Sequence, residues 1–292
     1  MMANGLWGTD MYEYFYKGSA PESDLACERR KADLSSDGVE YSKHFSGLGI
    51  WERIKITNDN GTKSIGRPIG NYDTLSFERM DLFDSDAMAD AANEVSKELC
   101  LLLGELGVAP ERLLVVGLGN SELTPDAIGP RCAELVCATM HIKEHDEAMF
   151  NSLECSEIAV IKPGVTSESG LDAASTVRST CELVKPNALL VIDALASSSA
   201  QRLGRTIQFS NTGIFPGSGI GNPRGAITKE TVGAPVIAIG VPTVIDARIL
   251  AGKEDLLGGE TMFVSPKEIN GIVKAAARII ADGINQAFGI SL

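Results

Sequence analysis

The sequence predicts an α/β fold: a doubly wound, mostly parallel sheet with helices on both faces, joined to a β-rich N-terminal region. Two observations carry this reading. Four short apolar runs, RLLVVGLGN (112–120), EIAVIKPG (157–164), ALLVIDA (188–194) and PVIAIGVPT (235–243), have the composition of strands buried on both faces. Between and after them, apolar residues return at helical spacing near 126–140, 167–184, 244–250 and 266–288. Strand and helix alternating at these intervals build a parallel sheet, and ligands then bind outside the carboxyl ends of its strands.

The N-terminal half is patterned differently. Residues 1–24 are aromatic and aperiodic, as in an arm, and the charged stretch SDLACERRKADLSSDG follows from Ser23. Residues 49–75 alternate around the turn signal Asn58-Asp59-Asn60-Gly61, which predicts a β-hairpin inserted ahead of the main sheet. Helical periodicity takes over from Ser85 to Leu106. At 292 residues and 44% hydrophobic content the chain can bury a large core, so residues 25–292 are expected to form one domain behind the arm.

Charge and cysteine usage narrow the function. A net charge of -13 and a pI near 4.8 oppose binding to nucleic-acid phosphates, which requires clustered cations. No apolar stretch reaches the roughly 18 to 20 residues of a bilayer span, and the start lacks a signal-peptide pattern, so a cytoplasmic protein is expected. The six cysteines are scattered without a C-x-x-C pair, as reduced thiols are, and three histidines offer little to activate a cysteine nucleophile.

Two aspartates stand out. Asp126 follows the first apolar run in GLGNSELTPDAIGP, where Thr124 and Pro125 read as an N-cap and first helical residue. Asp193 directly follows five apolar residues, Ala188 to Ile192, where a carboxylate is poorly solvated unless it faces a cleft. Either acid alone also reads as a helix cap. Together, at strand ends of one sheet, two nearby carboxyls push their pKa values apart, so that one can take a proton from water while the other donates one.

Other patterns are weaker. Gly117-Leu118-Gly119-Asn120 lacks the third glycine of a dinucleotide fingerprint. The segment 211–222, NTGIFPGSGIGN, lacks the lysine of a phosphate loop, and Ser218 lacks the spacing of a nucleophile elbow; Gly217, Ser218 and Gly219 fit a loop whose N–H groups hold an extended substrate. Thr243 and Asp246 read as a capping-box variant at the same sheet edge. His141-x-x-Glu144-His145 matches the inverted zinc-peptidase pattern but has no evident third ligand, and a solvated helix end accounts for it.

Long ordered blocks then resemble one family. GLGNSELTPDAIGP, PGV (163–165), VIDALA (191–196), NTGIFPGSGIGN and KETVGAPVIAIGVPTVIDA (229–247), with SDLACE (23–28) and GTKSIGRPIGNYDTL (61–75), are similar to the signature blocks of the germination proteases of spore-forming bacteria. The resemblance implies an endopeptidase that degrades small acid-soluble spore proteins during germination, made as a zymogen and assembled as a homotetramer in the spore core. It puts the catalytic aspartates at Asp126 and Asp193, with Asn120, Thr124, Gly217, Ser218, Gly219 and Thr243 as supporting residues. No cofactor is expected. The family's likeness in fold to hydrogenase maturation endopeptidases, whose acidic site binds metal, keeps a metal-dependent alternative open at the two aspartates. A non-catalytic peptide-binding protein is the third reading. Cleavage after an acid and before an apolar residue points to self-processing between Asp24 and Leu25. The chain departs from the family at Asn211 and Phe215, where an aspartate and a histidine are common, and at Ser121 and Glu122; changed substrate preference is the expected consequence.

Overall fold

A computed structural model describes residues 23–29, 37–217, 225–252 and 262–290. Its centre is a nine-stranded sheet formed by β1 (Val39–Ser46), β2 (Gly49–Ile56), β3 (Gly70–Phe77), β4 (Arg112–Gly117), β5 (Glu157–Ile161), β6 (Ala188–Ser197), β7 (Thr206–Ser210), β8 (Val236–Asp246) and β9 (Phe263–Val264). The order is β1-β2-β3-β7-β8-β6-β4-β5, with β9 against β8. The four apolar runs are β4, β5, β6 and β8, and they pair in parallel as expected. Beyond β8 every pairing is antiparallel, from β7 through β3 and β2 to β1. The α/β class therefore holds, with a sheet divided into a parallel half and an antiparallel half. The β-rich N-terminal region continues the main sheet through β3 and β7.

Helices cover both faces. Ser85–Glu105, Ile128–Leu135 and Ile269–Ala287 pack on one, closing an apolar cluster around Leu113, Val115, Leu190, Ile192, Ile237, Ile239 and Phe209. Ala173–Val184 covers part of the other, over Leu114, Val116, Leu189, Val191 and Val236. Alternate residues of β4, β6 and β8 thus feed two cores, which is why these strands read as unbroken apolar runs.

Three local expectations are corrected. β2 and β3 do pair antiparallel, but Asn58-Asp59-Asn60-Gly61 is no hairpin turn. The Asn58 carboxamide accepts the N–H groups of Asn60 and Gly61 and caps a helix, Asp59–Ile65, which ends on a left-handed Gly66. Thr124 is not a helix cap either; its hydroxyl faces the Asn270 side chain at 3.3 Å, and Thr124–Asp126 is a 3-10 turn ahead of Ile128. Finally, Thr243 lies inside β8, and the cap of helix Ala247–Ala251 is Asp246, which accepts the Arg248 N–H at 2.8 Å and pairs with its guanidinium.

The antiparallel half carries a buried ionic cluster. Arg53 on β2 donates to both carboxylate oxygens of Glu98, at 2.7 and 2.5 Å, and lies 3.2 Å from Asp73 on β3. Burial and the neighbouring Glu98 raise the Asp73 pKa to about 8, with Arg53 opposing them. Among the described residues no helix is long and apolar enough to cross a membrane.

Candidate active site

Asp193 lies on β6 just beyond the five apolar residues that bury the strand, and is itself only 6% exposed. Its Oδ1 accepts the N–H of the next residue, Ala194, at 2.9 Å. The register puts Asp193 opposite Gly240 of β8, Gly240 opposite Gln208 of β7, and Gln208 opposite Thr74 of β3, so these four residues share one face of the sheet. A Cβ at Gly240 would meet the Leu195 side chain at 2.3 Å. Glycine there lets Leu195 fold over β8 between Asp193 and Gln208.

Asp126 reaches the same region from the neighbouring strand. After β4 the Leu118 N–H donates to the Ile192 carbonyl at 2.8 Å, which continues the parallel ladder to the start of the loop. The loop then turns on Gly119, whose φ is +113° and whose Cβ, were there one, would lie 2.0 Å from the Asp126 carbonyl oxygen. The Asn120 N–H donates to Asp126 Oδ2 at 2.9 Å, and the Asn120 carboxamide accepts the Glu122 N–H at 2.8 Å. The Gly-Leu-Gly-Asn sequence, weak as a nucleotide motif, serves to fold the loop back and orient the Asp126 carboxylate.

Both aspartates line one cleft of about 350 Å³, with Asn120, Gly217, Thr243 and Asp24 also in its wall. The two acids share a cleft, but β6 runs on past Asp193 to Ser197, so Asp193 stands where the ladder with β4 stops and not at the end of its own strand. Thr243 is fully buried and its hydroxyl finds no hydrogen-bond partner among the described residues. It occupies the irregularity where β8 slips by one residue against β6, between the pairs Leu195 with Pro242 and Ala196 with Val244. Ser218 and Gly219 lie outside the described residues, as does the arm except for Ser23 and Asp24.

Asn211 and Phe215 separate by position. Phe215 lines a smaller recess beside the cleft, shared with Asp24, Arg67, Asp193 and Gln208. Asn211 instead ties β7 to β3, its carboxamide accepting the Asn71 N–H at 2.9 Å. His141 and His145 are exposed on the short helix Met140–His145, and the described residues contain no group of three or more metal-ligating side chains.

Sequence reasoning missed what surrounds Asp24. The Asp24 N–H donates to the Ala196 carbonyl at 2.9 Å, and the Ala196 N–H returns a bond to Asp24 Oδ2 at 2.9 Å. Arg67 stands 3.6 Å from the other carboxylate oxygen. Leu25 and Ala26 are completely buried, Leu25 against the sheet face that carries Asp193. Arg67, Gln208, Ser197 and Ser198, which hold this segment, carry no signal in the sequence because each lies far along the chain from it.

The sequence comparisons agree on family. The germination protease family model, a peptidase family, matches residues 22–256. A germination protease of Caldanaerobacter subterraneus subsp. tengcongensis is 37% identical over 91% of this chain and 93% of its own length. One from Clostridium perfringens is 36% identical over 91% of this chain and 94% of its own. A NiFe hydrogenase maturation protease from Thermococcus kodakarensis is 18% identical with a TM-score of 0.34, covering 63% of this chain and 99% of the other. A match that spans Asp126, Asp193 and the segment lodged beside their cleft makes this chain a member of the germination protease family of peptidases.

Proposed function

We propose that the protein is an aspartate-dependent endopeptidase that hydrolyses small acid-soluble spore proteins in the spore interior, and that it matures by cutting its own Asp24–Leu25 bond. The observation that carries this reading is that Asp24 lines the same cleft as Asp126 and Asp193. An acid ahead of a buried leucine, beside the two carboxyls of that cleft, is the arrangement a self-processing acid-specific peptidase needs.

In this mechanism one aspartate takes a proton from water as the water oxygen attacks the carbonyl carbon. The other, protonated, gives its proton to the amide nitrogen as the C–N bond breaks. The Ala194 and Asn120 N–H groups orient the two carboxyls, and Leu195 and the apolar sheet face limit water around Asp193. Assembly as a homotetramer is part of the proposal, and sedimentation of the purified chain tests it.

The deciding experiment is N-terminal sequencing of protein matured at mildly acidic pH. The mature chain should begin at Leu25 and none should form from Asp193→Asn; a different first residue refutes the assigned bond. A metal-dependent version of the reaction fails if activity survives exhaustive chelation of protein free of metal.

A further inference from the structure

The segment Ser23–Arg29 is held by side chains that contact its acids and its backbone separately. Gln208 grips the main chain on both sides of Leu25: its Nε2 donates to the Asp24 carbonyl at 3.2 Å and its Oε1 accepts the Ala26 N–H at 2.8 Å. Such a grip sets register without reading sequence. Arg67, itself buried, faces the Asp24 carboxylate and donates to the Ser23 carbonyl at 3.1 Å. Leu25 enters the apolar cluster of Leu118, Val191 and Leu195. Residues Ala26–Arg29 then make one helical turn, which swings Glu28 onto the end of β6. There its carboxylate accepts the Ser197 hydroxyl at 2.6 Å, and the Ser198 N–H and hydroxyl at 2.6 and 2.7 Å.

A segment that served only to cover the sheet would need the buried leucine and little else. Here two acids four residues apart each meet a dedicated polar partner, with Gln208 fixing the backbone between them. Arg67 meets Asp24 as an ion pair at 3.6 Å and the two serines hydrogen-bond Glu28, and both kinds of contact discriminate acid from amide. This is a recognition site with its ligand in place.

We infer that Arg67, Gln208 and the Ser197–Ser198 pair are the specificity-determining residues of the peptidase, and that Ser23–Arg29 occupies in cis the groove that a substrate segment takes in trans. The recognised element is an acid at the cut, a buried leucine and small residue, and a second acid presented by a helical turn four residues after the first. The inference rests on the endopeptidase reading for the position of the cut, while the groove and its contacts stand apart from it.

The test uses the chain after maturation at Asp24, which vacates the groove, and three peptides: Ser-Asp-Leu-Ala-Cys-Glu-Arg flanked by neutral residues, its Asp-to-Asn analogue and its Glu-to-Gln analogue. The parent should be cut about tenfold more efficiently than either analogue, mostly through KM, as loss of one charge-assisted contact implies. Arg67→Ala should level the first ratio and leave the second. Ser197→Ala with Ser198→Ala should do the reverse. A general loss of stability lowers all three rates together and leaves both ratios intact, so an unchanged ratio in either variant overturns the assignment. If wild type cuts none of the peptides, the endopeptidase reading fails. Fluorescence anisotropy of the same labelled peptides, on a chain whose resident segment is weakened by Asp24→Asn and Glu28→Gln, then judges the groove alone, and equal affinities for all three overturn it.

Discussion

Two groups of acids gather on this sheet and meet opposite fates. Asp73, on β3, packs beneath the helix Ser85–Glu105 and shares one guanidinium, Arg53, with Glu98 of that helix. Asp126 lies in the loop after β4 and Asp193 on β6 just past the point where its ladder with β4 ends; both are oriented by main-chain N–H groups and face a cleft. Burial alone does not separate them, since Asp73 and Asp193 are almost equally inaccessible. Strand direction does. In the parallel half β4 ends beside Ile192 while β6 runs on, so the chain leaving β4 opens a crevice over Asp193; in the antiparallel half Asp73 points from mid-strand into the packed helix that carries Glu98. An acid on a guanidinium in a core serves the fold, whereas one held by N–H groups at a crevice is available to a substrate.

That contrast can be broken from either side. Asp126→Asn and Asp193→Asn should each lower cleavage of a spore-protein substrate by about a thousandfold, in the range of a lost general acid or base, with unchanged circular dichroism. Full activity in either would remove that residue from the mechanism. On the other side, Arg53→Leu strands two buried carboxyls and should cost about 3 to 5 kcal/mol in urea unfolding, as breaking a buried ion pair does. Its cleft contacts are untouched, so activity per folded molecule should persist.

The pH response separates the groups further. Folded Asp73 keeps its proton up to about pH 8, while its ordinary value is 3.8. The folded state therefore binds more protons between those limits, and this group's contribution to stability declines as pH rises through the window. Asp73→Asn removes that decline. The stability of the variant relative to wild type should climb from pH 4 to pH 8, and a gap independent of pH would show that Asp73 is ionised in the fold. The smallest effect is expected at Asn58, whose carboxamide caps the helix between β2 and β3; Asn58→Ala should cost about 1 kcal/mol by the same unfolding measurement and leave peptide discrimination unaltered.

Legibility in the sequence divides along the same line. β4, β5, β6 and β8 are readable because parallel strands covered on both faces must be apolar throughout, and Asp126 and Asp193 because each follows such a run, Asp126 in the loop beyond β4 and Asp193 partway along β6. β1 left no such trace: it is an edge strand whose residues are largely exposed. β7 has five residues and a glutamine at its centre, the one that grips Asp24 and Ala26. Asn58-Asp59-Asn60-Gly61 misled because an asparagine that accepts N–H groups two and three residues ahead starts a helix as readily as a turn. The groove was invisible for a simpler reason. Arg67 meets residues 44 positions away, and Gln208 and Ser198 meet residues 170 or more positions away, so no local spacing records them.

The burial of Leu25 would govern the fate of a chain cut as proposed after Asp24. Its N–H now donates to the Ser23 hydroxyl at 3.0 Å, as part of a neutral amide. Hydrolysis at Asp24 would turn that amide into an ammonium and a carboxylate at a fully enclosed residue and would detach Ser23, the partner that satisfied it. Near neutral pH a free α-amino group is charged, with a pKa of about 7.7 to 8.0, and a charge of this kind is poorly tolerated in an apolar pit. Under the proposed cut the new terminus would be driven outward, so one hydrolysis would both sever the arm and unseat the segment from the groove it fills.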